Sequence, residues 1–432
     1  MTALRRIQVG SRRGERELER LLRRSRRVLS RKTARQARRI VNEVRRGGDK
    51  ALLAAVQKYD DFAADSVGEL RMPAWRGEEV DGSVGAAFKE ALEESIAAVD
   101  RFHSPQVRSG YVLEGNGVWL EERRQPLQRV GIYVPGGRFP YPSTVVMTVI
   151  PARLAGVEEI VVATPPRSFV ESAELRFTLG RLDVQEIWGM GGSHAVAALA
   201  YGTESVRRVD KILGPGNAWV MAAKQVVAGD VAIDGVPGPT EIVIFADGSA
   251  DEDLVAADLL AQAEHDPQAA ALLITSDPRF ARRVSDALEA QLELLSTAEV
   301  ARQSIQSYGR ALIVEDLEEG LRVSERIAPE HLQLVGEGPE GLADRVRAAG
   351  AIFVGATTPE VFGDYIAGPS HVLPTCGSAR FDSALGVEDF IRRSHCIRFS
   401  PEAAARWAPV AEEMARVEGL DAHAAAARRR QA

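Results

Sequence analysis

In RVGIYVPGG, Arg129–Gly137, an apolar run from Val130 to Val134 stops at Pro135-Gly136-Gly137. A run that short is strand-length, and the glycines after it permit a sharp turn. PSTVVMTVIPARLAG follows, with a pattern long enough for a helix. The motif recurs outward along the chain. Ile160–Ala163, Ile187–Trp188, Val209–Leu213 and Ile242–Phe245 are short apolar runs ending near Gly, Pro or Asp, with helical stretches such as HAVAALAYG between several of them. Short strands alternating with helices predict βαβ units and a parallel sheet.

A second set follows the first: a helix over 251–265, then ALLITS, a helix over 278–295, RALIVE, the helix LEEGLRVSERI, HLQLVG, a helix over 340–349 and AIFVG. The fold class is therefore α/β with two parallel-sheet units. Residues from about 12 to 105 are expected to be mostly helical, broken at Gly47–Gly48, and the Ala-rich tail 401–432 is expected to be helical too. Ligands of open parallel sheets bind at the carboxyl ends of the strands, and the chemistry-bearing motifs are expected mostly there or just inside the following helix.

The 432 residues suffice for roughly two or three domains, and a composition 45% hydrophobic and 27% charged is that of an ordinary globular protein. No apolar run is long enough to span a membrane, and the first residues lack the apolar core of a secretory signal. Two cysteines, Cys376 and Cys396, do not make a disulfide framework. The chain reads as cytoplasmic. A net charge of −7 argues against nucleic acid as a partner, although the first fifty residues hold 18 Lys/Arg against 5 Asp/Glu, or +13. Leu18, Leu21, Leu22, Val28, Leu29, Ala37, Ile40, Val41 and Val44 recur there at helical spacing, so this segment is read as amphipathic helices with Arg-rich outer faces.

Several stretches carry chemistry. In DLLAQAEHDP, Gln262 and His265 are three apart on the last turn of a helix, where they form either a metal-binding pair or an ordinary exposed helix end. IAPEHL sets Glu330 beside His331, and neighbouring side chains in extended chain point to opposite faces. Two proton-transfer groups aimed at different atoms suit two chemical steps. VFGDYIAGPSHVLPT holds Asp364 and His371 in a punctuated loop, and RVEGLDAHAAAARRR holds Glu418 and His423. The turn after Tyr133 and the GPGN turn, Gly214–Asn217, each lead into a helix start whose backbone donors suit a phosphate. Neither is a GxGxxG fingerprint, GMGGSH at 189–194 only approximates one, and turn glycines without a ligand stay open as an alternative.

Together these stretches resemble the histidinol dehydrogenase family. The resemblance runs from about residue 25 to about 425, on GIYVPGG, YPSTVVM, AALAYGTESV, VDKILGPGN, GPTEI, DLLAQAEH, APEHL, GDYIAGPSHVLPT and EGLDAH, in the family's order. It implies a homodimer of chains with two Rossmann-like domains and smaller helical N- and C-terminal extensions: an arm over 1–26, a first Rossmann-like domain over 129–241, a second over 27–128 plus 242–380, and a C-terminal extension over 381–432. The implied activity is two successive NAD-linked oxidations of L-histidinol, alcohol to aldehyde to acid. One zinc ion per subunit would be held by Gln262, His265, Asp364 and His423. His331 would act as the base and Glu330 would activate water. Thr240, His371 and Glu418 would join the metal ligands and His331 around the substrate, while Tyr133, His194 and Asn217 would contact NAD. In the family the C-terminal segment crosses to the partner's site, which would place Glu418 and His423 in trans.

His194 stands where the family often has Gln, and an imidazole does not offer an amide's donor–acceptor pair. Ser370 replaces a frequent Asn. A related dehydrogenase acting on another primary alcohol, such as a sulfonated diol, therefore stays open, and Glu418 and the Tyr of GDYIAG favour histidinol over it. A zinc hydrolase and a non-catalytic scaffold are the readings from other classes.

Overall fold

Apolar runs without alternation fold as strands covered on both faces. Arg129–Tyr133, Glu241–Ala246, Ala270–Thr275 and His331–Val335 are buried at every position. The computed structural model of the chain describes residues 4–23, 30–74, 82–136, 139–235 and 238–431. Gly137 of the first turn and Val28 and Leu29 of the basic segment lie outside the described residues.

The strands form two six-stranded sheets and one small one. In the first, the order across the sheet is Arg71–Met72, Glu186–Gly189, Glu159–Thr164, Arg129–Tyr133, Lys211–Leu213, Ala232–Ile233. All pair in parallel except Arg71–Met72, which runs antiparallel to Glu186–Gly189. The chain steps outward from Arg129–Tyr133 in one direction, then returns to the other side of that strand. This is the doubly wound order, with its switch point where Tyr133 and Leu213 end. The second sheet repeats it in parallel: Arg5–Gln8, Arg310–Ile313, Ala270–Thr275, Glu241–Ala246, His331–Val335, Ala351–Val354. Val112–Gly115, Val118–Pro126 and Ile391–Phe399 make a small antiparallel sheet. The helices Pro401–Val417 and Asp421–Arg428 follow it as a terminal hairpin.

Three features depart from the expectations. Arg5–Gln8, inside the expected helical arm, is a parallel edge strand of the second sheet, and a helix begins only at Arg12. The helices Arg31–Tyr59 and Ala86–His103 fall within 27–128, which was assigned to the second unit, yet they pack on the first sheet. Val41, Val44, Leu52 and Val56 share a core with Tyr133 and Val161, and Leu92 and Val99 share one with Ile132 and Val162. Periodicity identifies an apolar face without saying which sheet it covers. The expected helix over 340–349 is a short 3-10 turn, Glu340–Arg345. The break at Gly47–Gly48 is present as a kink, with Gly48 at φ 52°.

Candidate active site

The two sheets present opposite ends to one cavity of about 400 Å³. From the first sheet come the turns that follow its switch-point strands, including Pro135, Gly136 and Pro215–Ala218. From the second come Thr240, His265, Glu330 and His331, all at the amino ends of its strands. This corrects the expectation of carboxyl ends for the second half. Glu330 and His331 open the strand His331–Val335, and the helix Glu252–Ala263 runs back along the sheet, so Gln262 and His265 return to the same end. The second sheet's own switch point is filled by protein: Asp247 accepts from Ser249 N at 2.9 Å and Gly338 N at 2.8 Å.

The cofactor-type turns are built by local chemistry. Gly214 has φ 102°, and a Cβ there would lie 2.1 Å from Tyr133 O, so only glycine lets the two switch-point strands end so close together. A buried ion pair braces the turn. Lys224 Nζ donates to Gly214 O and to Asp234 Oδ1, each at 2.6 Å, and Asp234 Oδ2 accepts from Gly214 N at 2.6 Å. Asn217 caps the helix Ala218–Val227, accepting from Trp219 N at 3.0 Å. Asn217 and Tyr133 both line the cavity. Tyr133 OH accepts from Gly192 N at 3.2 Å, and burial pushes its phenol up to about 12.

His194 does not join them. It is 1% exposed, its Nε2 lies 2.8 Å from Asp60 Oδ2, Tyr59 stacks on its ring, and it does not line the cavity. Asp60 Oδ2 also accepts from Gly191 N at 2.9 Å, tying the imidazole to the GMGGSH turn. Ser370 is likewise buried, donating to Met147 O at 3.0 Å.

Glu330 and His331 are joined through two other side chains. Thr240 Oγ1 donates to Glu330 Oε2 at 2.5 Å, Gln262 Nε2 donates to Thr240 Oγ1 at 2.9 Å, and Gln262 Oε1 lies 3.1 Å from His331 Nδ1. Burial dominates both acid–base groups. It raises Glu330 to about 8 against the hydrogen bonds from Thr240 and Glu241 N, and lowers His331 to about 4. His371 is also pushed down by burial, and its Nδ1 lies 3.7 Å from Asp364 Oδ1.

Beside this chain lie His265, Glu360 and Asp364, whose ligand atoms fall within 4.8 Å of one another. His265 Nε2 is 3.9 Å from Asp364 Oδ2. A mixed imidazole and carboxylate set fits a zinc ion, and the Gly- and Pro-rich turns opposite fit a dinucleotide. Gln262 is fully buried, engaged with Thr240 and His331, and does not line the cavity. Glu360 was not singled out from the sequence. Its signal was there: it precedes Asp364 by four residues in PEVFGD, so the helix Glu360–Tyr365 puts both on one face. His423 and Glu418 are exposed on the terminal hairpin and do not line this chain's cavity.

A nucleotide-type switch point opening onto buried proton-transfer groups defines an oxidoreductase of the dehydrogenase class. Comparison with known proteins narrows it. The histidinol dehydrogenase family profile matches residues 23–431. The histidinol dehydrogenase of Nitrosomonas europaea is 42% identical over 392 residues, covering 90% of this chain and 91% of its own. That of Agrobacterium fabrum is 45% identical over 390 residues, covering 90% of each. The crystal structure of histidinol dehydrogenase from Elizabethkingia anophelis superposes with a TM-score of 0.88 at 30% identity, covering 99% of this chain and 98% of that one. The chain belongs to the histidinol dehydrogenase family. The sulfonated-diol alternative finds no support in these relatives, and His194, which kept it open, is buried away from the cavity. Among the described residues, no helix is long and apolar enough to cross a membrane.

Proposed function

We propose that the chain oxidises L-histidinol to L-histidine in two NAD-linked steps at this cavity, with Glu330 and His331 dividing the proton transfers. The observation that carries this reading is the hydrogen-bonded path from Glu330 through Thr240 and Gln262 to His331. His331 Nδ1 faces two acceptors, Gln262 Oε1 at 3.1 Å and Glu241 O at 3.2 Å, so Nδ1 carries the ring hydrogen and Nε2 presents its lone pair.

In the first step the alcohol loses a hydride from carbon and a proton from oxygen, and His331 Nε2 takes the proton. Water then adds to the aldehyde: Glu330 accepts a proton from that water while His331 Nε2 returns its proton to the carbonyl oxygen, which gives the hydrate and frees the imidazole again. The hydrate loses a second hydride and a proton to leave the acid, and His331 Nε2 again receives the hydroxyl proton. Bound zinc and nicotinamide supply, respectively, a Lewis-acidic anchor for the substrate's nitrogens and a hydride acceptor. Gln262, His265 and Asp364 would hold the ion together with His423. Thr240 and His371 line the pocket where the substrate would sit. Tyr133 and Asn217 would meet the cofactor.

This reading includes a homodimer in which His423 and Glu418 enter the partner's cavity. Supporting it, Trp407, Val410, Met414 and Val417 form one face of the helix Pro401–Val417 and are 45%, 53%, 60% and 71% exposed. Such an apolar stripe is the kind of surface a second copy covers. A cytoplasmic setting completes the reading, supported by two cysteines, Cys376 and Cys396, that are not joined in a disulfide. The test is a spectrophotometric assay with L-histidinol. Two NADH per substrate, lost on chelation, are expected; one NADH with aldehyde released would overturn the two-step assignment.

A further inference from the structure

Glu360 is the group that the proposed mechanism leaves idle. It opens the helix Glu360–Tyr365, is 1% exposed, and lines the cavity. Neither carboxyl oxygen has a hydrogen-bond donor among the described residues. Its neighbours are His331 Nε2, 3.6 Å from Oε1, and Asp364, a second carboxyl close enough to share a hydrogen bond when one of the two carries a proton. A buried acid without donors is costly unless it meets a cation or takes a proton.

We infer that Glu360 is an additional metal donor, binding the zinc ion from within the chain when no substrate is present. The inference rests on the proposed metal centre. Donor atoms about 2.1 Å from one ion lie no more than about 4.2 Å apart. His265 and Asp364 meet that limit at 3.9 Å, and a small inward movement brings the whole set, now within 4.8 Å, to it. The i, i+4 spacing of Glu360 and Asp364 sets both carboxylates on one helical face, with His265 approaching from the helix Glu252–Ala263. Glu360 thereby occupies a coordination position that a nitrogen of the substrate takes over, and is released beside His331 Nε2. Nothing in this exchange forms or breaks a covalent bond.

The test is zinc affinity of the full-length, substrate-free protein, measured by competition with a chelator. Glu360→Gln is expected to weaken zinc binding roughly ten- to a hundredfold, and Glu360→Asp to fall between it and the wild type. Thermal unfolding gives a second readout with opposite signs. Metal-free Glu360→Gln should melt no lower than wild type, because a donorless acid is gone, whereas the zinc-loaded variant should melt lower. His265→Asn separates the two claims. Weakened zinc binding in both Glu360→Gln and His265→Asn supports the assignment. Weakening in His265→Asn alone overturns it and leaves the proposed function standing. Wild-type affinity in both overturns the metal centre itself.

Discussion

His331 Nδ1 lies 3.1 Å from the amide oxygen of Gln262, and this contact decides which imidazole nitrogen faces the cavity. The amide is itself held by the hydrogen bond it donates to Thr240, which in turn donates to Glu330. The two adjacent ionisable residues are thus oriented by one continuous path of side chains and do not compete for the same atom.

Removing the base should damage both oxidations. His331→Asn is expected to slow each by roughly 10²- to 10⁴-fold, the usual general-base contribution. Glu330→Gln should slow mainly the second. Single-turnover NADH formation, started from histidinol and from the aldehyde, separates the steps; equal losses from Glu330→Gln would contradict the division.

The rate of the second oxidation should rise with pH up to about 8. Glu330 is pushed up to about 8, so below that pH it is mostly protonated and cannot accept from water. His331, lowered to about 4, is already neutral through the same window. Thr240 stabilises the ionised Glu330, so Thr240→Val should move the rising limb to higher pH. A pH–rate profile unchanged in Thr240→Val would refute the link.

Breaking the pair under the GPGN turn should be expensive. Lys224 is fully buried and Asp234 3% exposed, so Lys224→Met leaves a buried carboxylate unpaired. A loss of about 3–5 kcal/mol is expected in denaturant unfolding.

His194→Gln should leave the KM for NAD unchanged, because the imidazole faces Asp60 and not the cavity. His194→Leu should instead cost about 1–3 kcal/mol by stranding Asp60. Parallel measurements of KM and unfolding distinguish a structural from a cofactor role.

Mixed dimers test the contribution in trans. His423→Ala and Glu330→Gln proteins, each deficient alone in the complete reaction, should regain it when co-refolded, since one site of a heterodimer then carries neither lesion. No recovery in verified heterodimers would place His423 in its own subunit's site.

Much of this was legible in the sequence. Val130–Val134 and Ile242–Phe245 read as strands because parallel strands covered on both faces need unbroken apolar runs. The GPGN turn read as a helix start because an apolar run stops at its glycines before a helical pattern, and the structure adds that Asn217 caps that helix. Glu330 and His331 are legible as a site because two adjacent ionisable side chains in extended chain point to different faces.

What the sequence determined by itself was local: strand and helix periods, turn chemistry, and ordered motifs that place the chain in its family. The tertiary structure alone decided that the second sheet offers its amino ends to the cavity, that the early helices cover the first sheet, that His194 turns inward to Asp60, and that Glu360 joins His265 and Asp364. Each of these depends on side chains far apart in the chain meeting in space. Hydrophobic period marks a face for burial but carries no record of what will cover it.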